Sequence, residues 1–246
     1  MDQTTLILAA AIFVLAGIIK GTVGLGLPMA AVGLLASLVD PRLAISLVVF
    51  PLMVTNFWQM VRGGDILRSA RRYWLFAAVM MIAMWVVTGI AGQVSANTLA
   101  AAIGGVIILF SLTSLLAAVP VLPDRYDKVG QVAAALACGL IGGLTAIWSP
   151  PMAVYMLARR VDKDEFVAAS GFLIFFSSLP LAFGYWQAGL MTGPLALVSL
   201  GMCIPAIAGF SIGERIRATM SGERFRTAVL VLFLVLGVNL IRRAFG

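Results

Sequence analysis

Residues 20–28 read KGTVGLGLP, and their three glycines and single proline interrupt an otherwise apolar stretch of the chain. A shift of 122 residues places GGLTAIWSP, residues 142–150, on this segment. In both segments the glycines and the proline fall where a hydrophobic helix would otherwise continue. Broken apolar segments at corresponding positions of two halves are typical of the binding sites of transporters. The sequence therefore predicts a membrane protein built from two repeats.

The same shift aligns residues 16–65 with residues 138–187 without a gap and gives eleven identities, which include Gly17/Gly139, Pro28/Pro150 and Asp40/Asp162. We predict that each repeat contains one broken hairpin followed by three spanning helices. The first repeat covers residues 1–119, with its hairpin at 5–39 and its spans at 43–61, 73–91 and 99–119. A linker at 120–128 leads to the second repeat at 129–246, with its hairpin at 131–158 and its spans at 167–186, 195–212 and 225–241.

The composition supports an all-α polytopic membrane protein. Hydrophobic residues make up 62% of the chain and charged residues 11%, and the mean hydropathy is +1.07. Soluble domains are about 45–50% apolar and about 25% charged. The apolar runs lack the alternating polarity of spanning β-strands, so the spans are predicted to be helices. The net charge of +7 comes from loops between apolar runs and does not indicate a nucleic-acid partner.

The distribution of Lys and Arg predicts how the hairpins enter the membrane. If residues 129–158 enter and leave on one face, the loops 62–72, 120–128, 159–165 and 214–226 share a side and carry 13 Lys and Arg residues. The opposite side then carries three. This asymmetry favours a re-entrant second hairpin, with the basic side in the cytoplasm. Three spans per repeat invert the second repeat relative to the first, and the hairpin tips are expected to meet near the midplane.

Lys20 is the one charged residue that the sequence places inside the apolar spans, and it directly precedes the first tip. Charged groups at membrane depth are costly and indicate a functional site by default. The half-helices after the tips begin near Pro28 and Pro150, with Ser149 at the expected N-cap, and their N-termini carry partial positive charge. An ammonium group and two positive helix ends predict an anion site. The alternatives are a snorkelling Lys20 and glycines that only pack helices through the Gly-x-x-x-Gly spacing.

Matched polar pairs follow each hairpin, Thr55-Asn56 in the first repeat and Ser177-Ser178 in the second. These groups either bind substrate or satisfy the backbones and contacts of their own helices. The residues Trp58, Trp148 and Trp186 either line a pocket or lie at the membrane interface. The full set of candidate substrate-binding residues is Lys20, Gly21, Thr22, Gly24, Gly26, Pro28, Thr55, Asn56, Gln59, Gly143, Thr145, Trp148, Ser149, Pro150, Ser177 and Ser178.

The sequence offers no constellation for catalysis. It has no histidine, and we expect every Asp and Glu to lie in a loop or at a helix end. Cys138 and Cys203 lie in apolar runs and are predicted to be small buried side chains, without a metal or redox role. We therefore predict a protein that is not an enzyme and has no catalytic residues, no metal and no cofactor.

The chain resembles the sulfite exporter TauE/SafE family in a glycine-rich run that ends in proline near the start of each half. The first run is Gly17-x3-Gly21-x2-Gly24-x-Gly26-x-Pro28, and the second is Gly139-x2-Gly142-Gly143 followed by Pro150-Pro151. Leu27, Ala146 and Trp148 stand where that family often has glycine. The resemblance covers the whole chain and implies a multi-pass transporter of the bacterial inner membrane.

The resemblance also implies the substrate class, sulfite, organosulfonates and related small anions, often moved outward. A secondary transporter working by alternating access is the leading expectation, and the alternative is a carrier of small carboxylate anions. The expected partners are a small anionic substrate, the lipid bilayer and, in a homo-oligomer, further copies of the chain.

Overall fold

The computed structural model describes residues 2–64, 66–116, 119–219 and 222–245, without the side chains of residues 116, 163, 217–219 and 222–226. Within these residues the chain forms α-helices, one short 3-10 helix at Asp124–Tyr126 and no β-strand. The α-helices are α1 (Gln3–Val23), α2 (Leu27–Ala36), α3 (Pro41–Arg62), α4 (Ile66–Ala91), α5 (Ala96–Leu116), α6 (Asp127–Thr145), α7 (Ser149–Ala158), α8 (Lys163–Gln187), α9 (Gly193–Gly201), α10 (Cys203–Thr219) and α11 (Gly222–Phe245).

The predicted all-α class holds for the part of the chain that is described. Eight helical segments there are long and apolar enough to cross a membrane, with α9 and the greater part of α10 counted as one segment. Many of their large apolar side chains, such as Trp74, Ile82 and Leu197, are exposed on the outside of the protein. In water such surfaces would be unfavourable, and in a bilayer they face lipid.

The helix bounds reproduce the offset of 122 residues found in the sequence. Helix α1 ends at Val23 and α6 ends at Thr145, which differ by that offset. The ten-residue helices α2 and α7 then begin and end at equivalent positions, Leu27–Ala36 and Ser149–Ala158. Both begin with a proline in the first turn, where the missing N–H costs no helical hydrogen bond.

The contacts divide the chain into two compact units, which do not coincide with the two halves of the sequence. The first unit contains Met1–Pro51, Val94–Ala117 and Leu190–Gly246. In it α1 packs against α10, and α5 packs against α11. Glycines allow the second contact, since a methyl group built on Gly104 would lie 2.7 Å from the carbonyl oxygen of Gly237.

The second unit contains Leu52–Gln93 and Ala118–Gly189, and in it α4 packs against both α6 and α8. Tyr73, where α4 departs from helical dihedral angles, donates a hydrogen bond of 2.7 Å to a carboxylate oxygen of Glu165 on α8. A guanidinium nitrogen of Arg72 lies 2.6 Å from the same carboxylate oxygen. These contacts fix the beginning of α8 against the beginning of α4.

The two ends of the α6–α7 segment lie side by side within this unit. The N–H of Leu122 donates to the carbonyl oxygen of Ala158 at 2.9 Å, and the guanidinium of Arg159 pairs with Asp124 at 2.7 Å. The hydrogen bond to Asp124 raises the pKa of Arg159 above its ordinary value. The residues that precede α6 therefore contact the residues that end α7, as in a hairpin. Its re-entry into a membrane stays a prediction, as does the division of the chain into repeats at 120–128.

The lengths of the hairpin arms differ from the sequence-based expectation. The sequence predicts that residues 5–19 and 27–39 are each short of a full span, but α1 has 21 residues, and the corresponding helix of the second hairpin, α6, has 19. At 1.5 Å per residue these helices are about 31 and 28 Å long. The glycines of α1 stay helical because they pack against α10, which compensates for their low helix propensity.

The predicted span at 195–212 is divided at Met202 into α9 and α10. Pro205 lacks an N–H for the hydrogen bond that a continuous helix would require, so α10 begins anew two residues before it. The predicted loop at 214–226 is largely helical, since α10 continues to Thr219 and α11 begins at Gly222, while residues 220 and 221 lie outside the described part of the chain.

Candidate functional site

The first tip is a short connection between α1 and α2. The N–H of Gly24 donates a 2.7 Å hydrogen bond to the carbonyl oxygen of Lys20, and Gly24 has a φ of 89°. Gly26, at the N-cap of α2, has a φ of 105°. Left-handed backbone of this kind favours glycine because it has no Cβ. Pro28 follows in the first turn of α2, so the predicted break and the predicted half-helix are both present.

Lys20 lies on α1 at this tip and is only 2% exposed. Its ammonium group is 6.0 Å from the centre of the Phe210 ring on α10, within the range of a cation–π contact. Glu214 follows one turn later on α10, and its backbone nitrogen would lie 2.8 Å from a methyl group on Gly21. The expectation that every acidic residue lies in a loop or at a helix end is therefore wrong for Glu214. The sequence predicted a loop from residue 214 onward, but Glu214 lies within α10.

Gly21 and Thr22 connect α1 to α10. A methyl group on Gly21 would collide with the carbonyl oxygen of Phe210. The hydroxyl of Thr22 donates to the carbonyl oxygen of Ile18 at 2.8 Å and lies 3.3 Å from that of Gly213. The packing role that the sequence left open for the glycines is thus present at Gly21, next to the buried ammonium group.

The second tip has the same left-handed backbone conformation as the first at the end of its first helix, but the residue there is not glycine. Ala146 corresponds to Gly24 under the 122-residue shift, and it too is left-handed, with a φ of 57°. Its N–H donates to the carbonyl oxygen of Gly142 at 2.9 Å. Thr145 fixes the next residue, because its hydroxyl oxygen accepts from the N–H of Ile147 at 3.1 Å. This threonine therefore orders the tip itself.

Helix α7 begins after Trp148, which is its N-cap residue, whereas the sequence predicted Ser149 at that position. Ser149 is the first helical residue, and Pro150 and Pro151 follow it. The carbonyl oxygen of Trp148 accepts from the buried thiol of Cys138 at 3.1 Å. A capping hydroxyl is not required at this position, because Pro150 and Pro151 lack the N–H groups from which it would accept hydrogen bonds.

Tyr185, on α8, belongs to the second tip and was not among the predicted site residues. Its hydroxyl donates to the carbonyl oxygen of Gly143 at 3.1 Å, and its side chain is fully buried. This carbonyl is one of the last four of α6, which have no partner within the helix. No sequence pattern indicates Tyr185, because the contact depends on how α8 packs.

The polar pairs of α3 and α8 bond to their own helices. Asn56 donates to the carbonyl oxygen of Leu52 at 2.7 Å, and Ser177 donates to that of Leu173 at 2.7 Å. Thr55 and Ser178 also contact carbonyl oxygens of their own helices. Gln59 instead reaches α8, where its amide nitrogen donates to the hydroxyl of Ser170 at 2.9 Å and to the carbonyl oxygen of Val167. The two pairs thus contact the backbones of their own helices and Gln59 joins α3 to α8, which is one of the two roles that the sequence allowed.

The three tryptophans that the sequence placed in a pocket or at the membrane interface differ in how far they are buried. Trp148 is 1% exposed, whereas Trp58 and Trp186 are at least half exposed and face outward. Only Trp148 of the three therefore lies within the protein, at the second tip. The expectation that the two tips meet stays a prediction.

The chain matches the model of a known protein family. A family model described as "Sulfite exporter TauE/SafE" matches residues 9–240, which is nearly the whole chain and includes both tips. In comparisons with curated proteins and with solved structures, nothing matches the chain.

Proposed function

The chain belongs to the sulfite exporter TauE/SafE family, and from this premise we propose that it exports small sulfur-containing anions, such as sulfite or organosulfonates, by alternating access. Membership indicates a multi-pass membrane transporter and not an enzyme, consistent with the eight long apolar helical segments among the described residues. The membrane we propose is the inner membrane of a bacterium, with the Lys- and Arg-rich loops in the cytoplasm.

The observation that carries the anion assignment is the burial of Lys20 at a helix break. The ammonium group is held inside the protein, four residues before the left-handed Gly24. Helix α2 then begins at Leu27, and its first N–H groups have no partner within the helix. A cation and a positive helix end at one tip favour a negatively charged ligand.

Two features support alternating access. The helix breaks recur at the 122-residue offset, so each repeat carries its own interrupted helix. The ends of the α6–α7 segment are joined by the Leu122–Ala158 hydrogen bond, as a hairpin entering from one face requires. In transporters built from inverted repeats, such discontinuous helices form the binding site and the repeats rock around it.

Ligand-dependent stability tests the substrate class. Detergent-purified protein is heated with sulfite, sulfoacetate, taurine, acetate or lactate, and its unfolding temperature is measured against a chloride control at equal ionic strength. We expect sulfite or sulfoacetate to raise the unfolding temperature, because a ligand that binds only the folded state stabilises it. Stabilisation by acetate and lactate alone would contradict the sulfur-anion assignment and leave the carboxylate carrier.

Counterflow tests the transport mode. Proteoliposomes loaded with unlabelled sulfite are diluted into a trace of radiolabelled sulfite, and transient accumulation of the label is followed. A carrier that alternates between two faces gives an overshoot, which an open channel does not. Accumulation without an overshoot would contradict alternating access while leaving anion binding intact.

A further inference from the structure

The indole N–H of Trp148 is a buried hydrogen-bond donor without an acceptor. The side chain is 1% exposed, and its Nε1 atom has no hydrogen-bond partner among the residues that the structure describes. Buried polar groups in native proteins are nearly always paired, and an unpaired one costs free energy. In a membrane, bulk water is not at hand to compensate. The unpaired donor therefore requires an explanation.

Three polar side chains near Trp148 have partners within the protein. The thiol of Cys138 donates to the carbonyl oxygen of Trp148, and the hydroxyl of Tyr185 donates to that of Gly143. The hydroxyl of Thr145 both donates and accepts within the tip. The hydrogen bonds of these neighbouring groups are thus satisfied at the second tip, and that of the indole N–H of Trp148 is not.

Packing fixes where this indole lies. A methyl group on Gly142 would be 2.8 Å from Cβ and 2.9 Å from Cε3 of Trp148, so the ring lies directly against the last turns of α6. Trp148 is also the N-cap residue of the ten-residue helix α7. The unpaired N–H group therefore belongs to the residue at the N-terminus of α7, where the helix dipole is positive.

Exposure separates Trp148 from the other tryptophans of the chain. Trp58, Trp74, Trp85 and Trp186 are all at least 52% exposed. Tryptophans at membrane interfaces place their N–H groups among headgroups and water. Trp148 is shielded from both, so interfacial anchoring does not account for it.

We propose that the indole N–H of Trp148 donates a hydrogen bond to an oxygen atom of the transported anion, and that Trp148 is a residue that determines specificity for oxyanions. This inference rests on the proposed function. The indole N–H is a donor only, so it pairs with a deprotonated oxygen and rejects an N–H or O–H group presented at the same position. Sulfite, sulfonates and carboxylates share such oxygens.

The test compares two tryptophan variants of the full-length protein in detergent. Trp148→Phe removes the N–H and keeps an apolar ring, and Trp186→Phe is the matched control on an exposed position. The affinity of each for sulfite, sulfoacetate and acetate is measured by calorimetry. We expect Trp148→Phe to weaken binding of the preferred anion by about tenfold or more, which corresponds to about 1.4 kcal/mol, and Trp186→Phe to bind within twofold of the parent.

A second readout measures binding in the parent protein and uses a variant only to assign the resonance. In the parent labelled with ¹⁵N-tryptophan, the five tryptophans give five indole resonances, and the one missing from Trp148→Phe, or from Trp148→Tyr if the first does not fold, is that of Trp148. We expect its proton to shift downfield on titration with the anion that binds, because a charged acceptor strengthens the hydrogen bond. Comparison of the titrations with sulfite or sulfoacetate and with acetate shows whether the acceptor is an oxygen of a sulfur oxyanion or of a carboxylate.

The outcomes separate this inference from the proposed function. If the parent binds sulfite while Trp148→Phe binds it equally well, or the Trp148 resonance does not move at saturation, the inference is overturned and the anion transporter stands. If the parent binds none of the three anions, the proposed function fails, and the role of Trp148 in oxyanion binding fails with it.

Discussion

At the scale of single residues, the position of Lys20 distinguishes two interpretations of the same sequence. A snorkelling lysine extends its ammonium group to an interface, whereas Lys20 is 2% exposed and its ammonium group lies by the ring of Phe210. Glu214 on the neighbouring helix adds an acidic residue that the sequence pattern had placed in a loop. The first tip therefore contains a lysine buried within the protein, with Phe210 and Glu214 on the helix that packs against it.

We expect Lys20→Met to weaken sulfite binding by at least about tenfold, or about 1.4 kcal/mol. Lys20→Arg should retain part of the affinity, limited by the larger planar guanidinium. Calorimetry on purified variants measures both, and Lys128→Met, at an exposed position, is the control for loss of a lysine. Parental affinity in Lys20→Met would mean that the ammonium group does not contact the anion.

Ala146 provides a second prediction at this scale, about stability. In Ala146→Gly, relief of left-handed strain of about 1–2 kcal/mol opposes the loss of a buried methyl group, about 0.8 kcal/mol, and added freedom of the unfolded chain, about 0.4–1 kcal/mol. The net change should be near zero. Ala133→Gly, at an exposed helical position of α6, should cost about 1 kcal/mol. Thermal unfolding compares them, and equal losses would show that the backbone at 146 is not strained.

At the scale of helices, the sequence predicted the breaks better than the contacts. Residues 150–158 were expected to form a short helix, and α7 covers Ser149–Ala158, because a proline pair marks a helix start locally. The break at Met202 was missed, since one proline within an apolar run does not by itself end a helix. The role of Tyr185 and the pairing of α1 with α10 were also missed. They depend on tertiary packing, which no local pattern encodes.

The glycines of α1 give the prediction for this scale. Gly21→Ala places a methyl group 2.8 Å from the backbone nitrogen of Glu214, where backbone and not a flexible side chain must move. We expect a loss of stability of about 1–3 kcal/mol from overpacking. Gly105→Ala, in α5 with open space around its Cα, should be neutral or stabilising by up to about 1 kcal/mol. Detergent-based unfolding measures both, and equal effects would contradict close packing of α1 on α10.

At the scale of the whole molecule, two observations favour different topologies. The lengths of α1 and α6 allow each to cross a bilayer, which gives eight candidate spans among the described residues. The contacts of Leu122 with Ala158 and of Asp124 with Arg159 return the chain to its starting point, as a re-entrant hairpin does. The count of Lys and Arg also favours the hairpin, since it collects 13 of them on one side. Helix length decides whether a segment is able to cross the bilayer, and the charges of the flanking loops determine whether it crosses or re-enters.

Cysteine labelling in intact cells decides between these topologies. In a parent with Cys138→Ala and Cys203→Ala, single cysteines replace Arg68, Asp124 and Asp162, which are all exposed. A re-entrant hairpin at 131–158 puts all three in the cytoplasm, so a membrane-impermeant maleimide should label them only after the cells are opened. Cysteines at Ser95 and Gln187, also exposed, should react from outside and serve as the positive control. Because 124 and 162 flank the hairpin, labelling of one from outside and the other from inside would mean that the segment crosses the bilayer. The inverted arrangement of the repeats would then be wrong, and the charge asymmetry would need another cause.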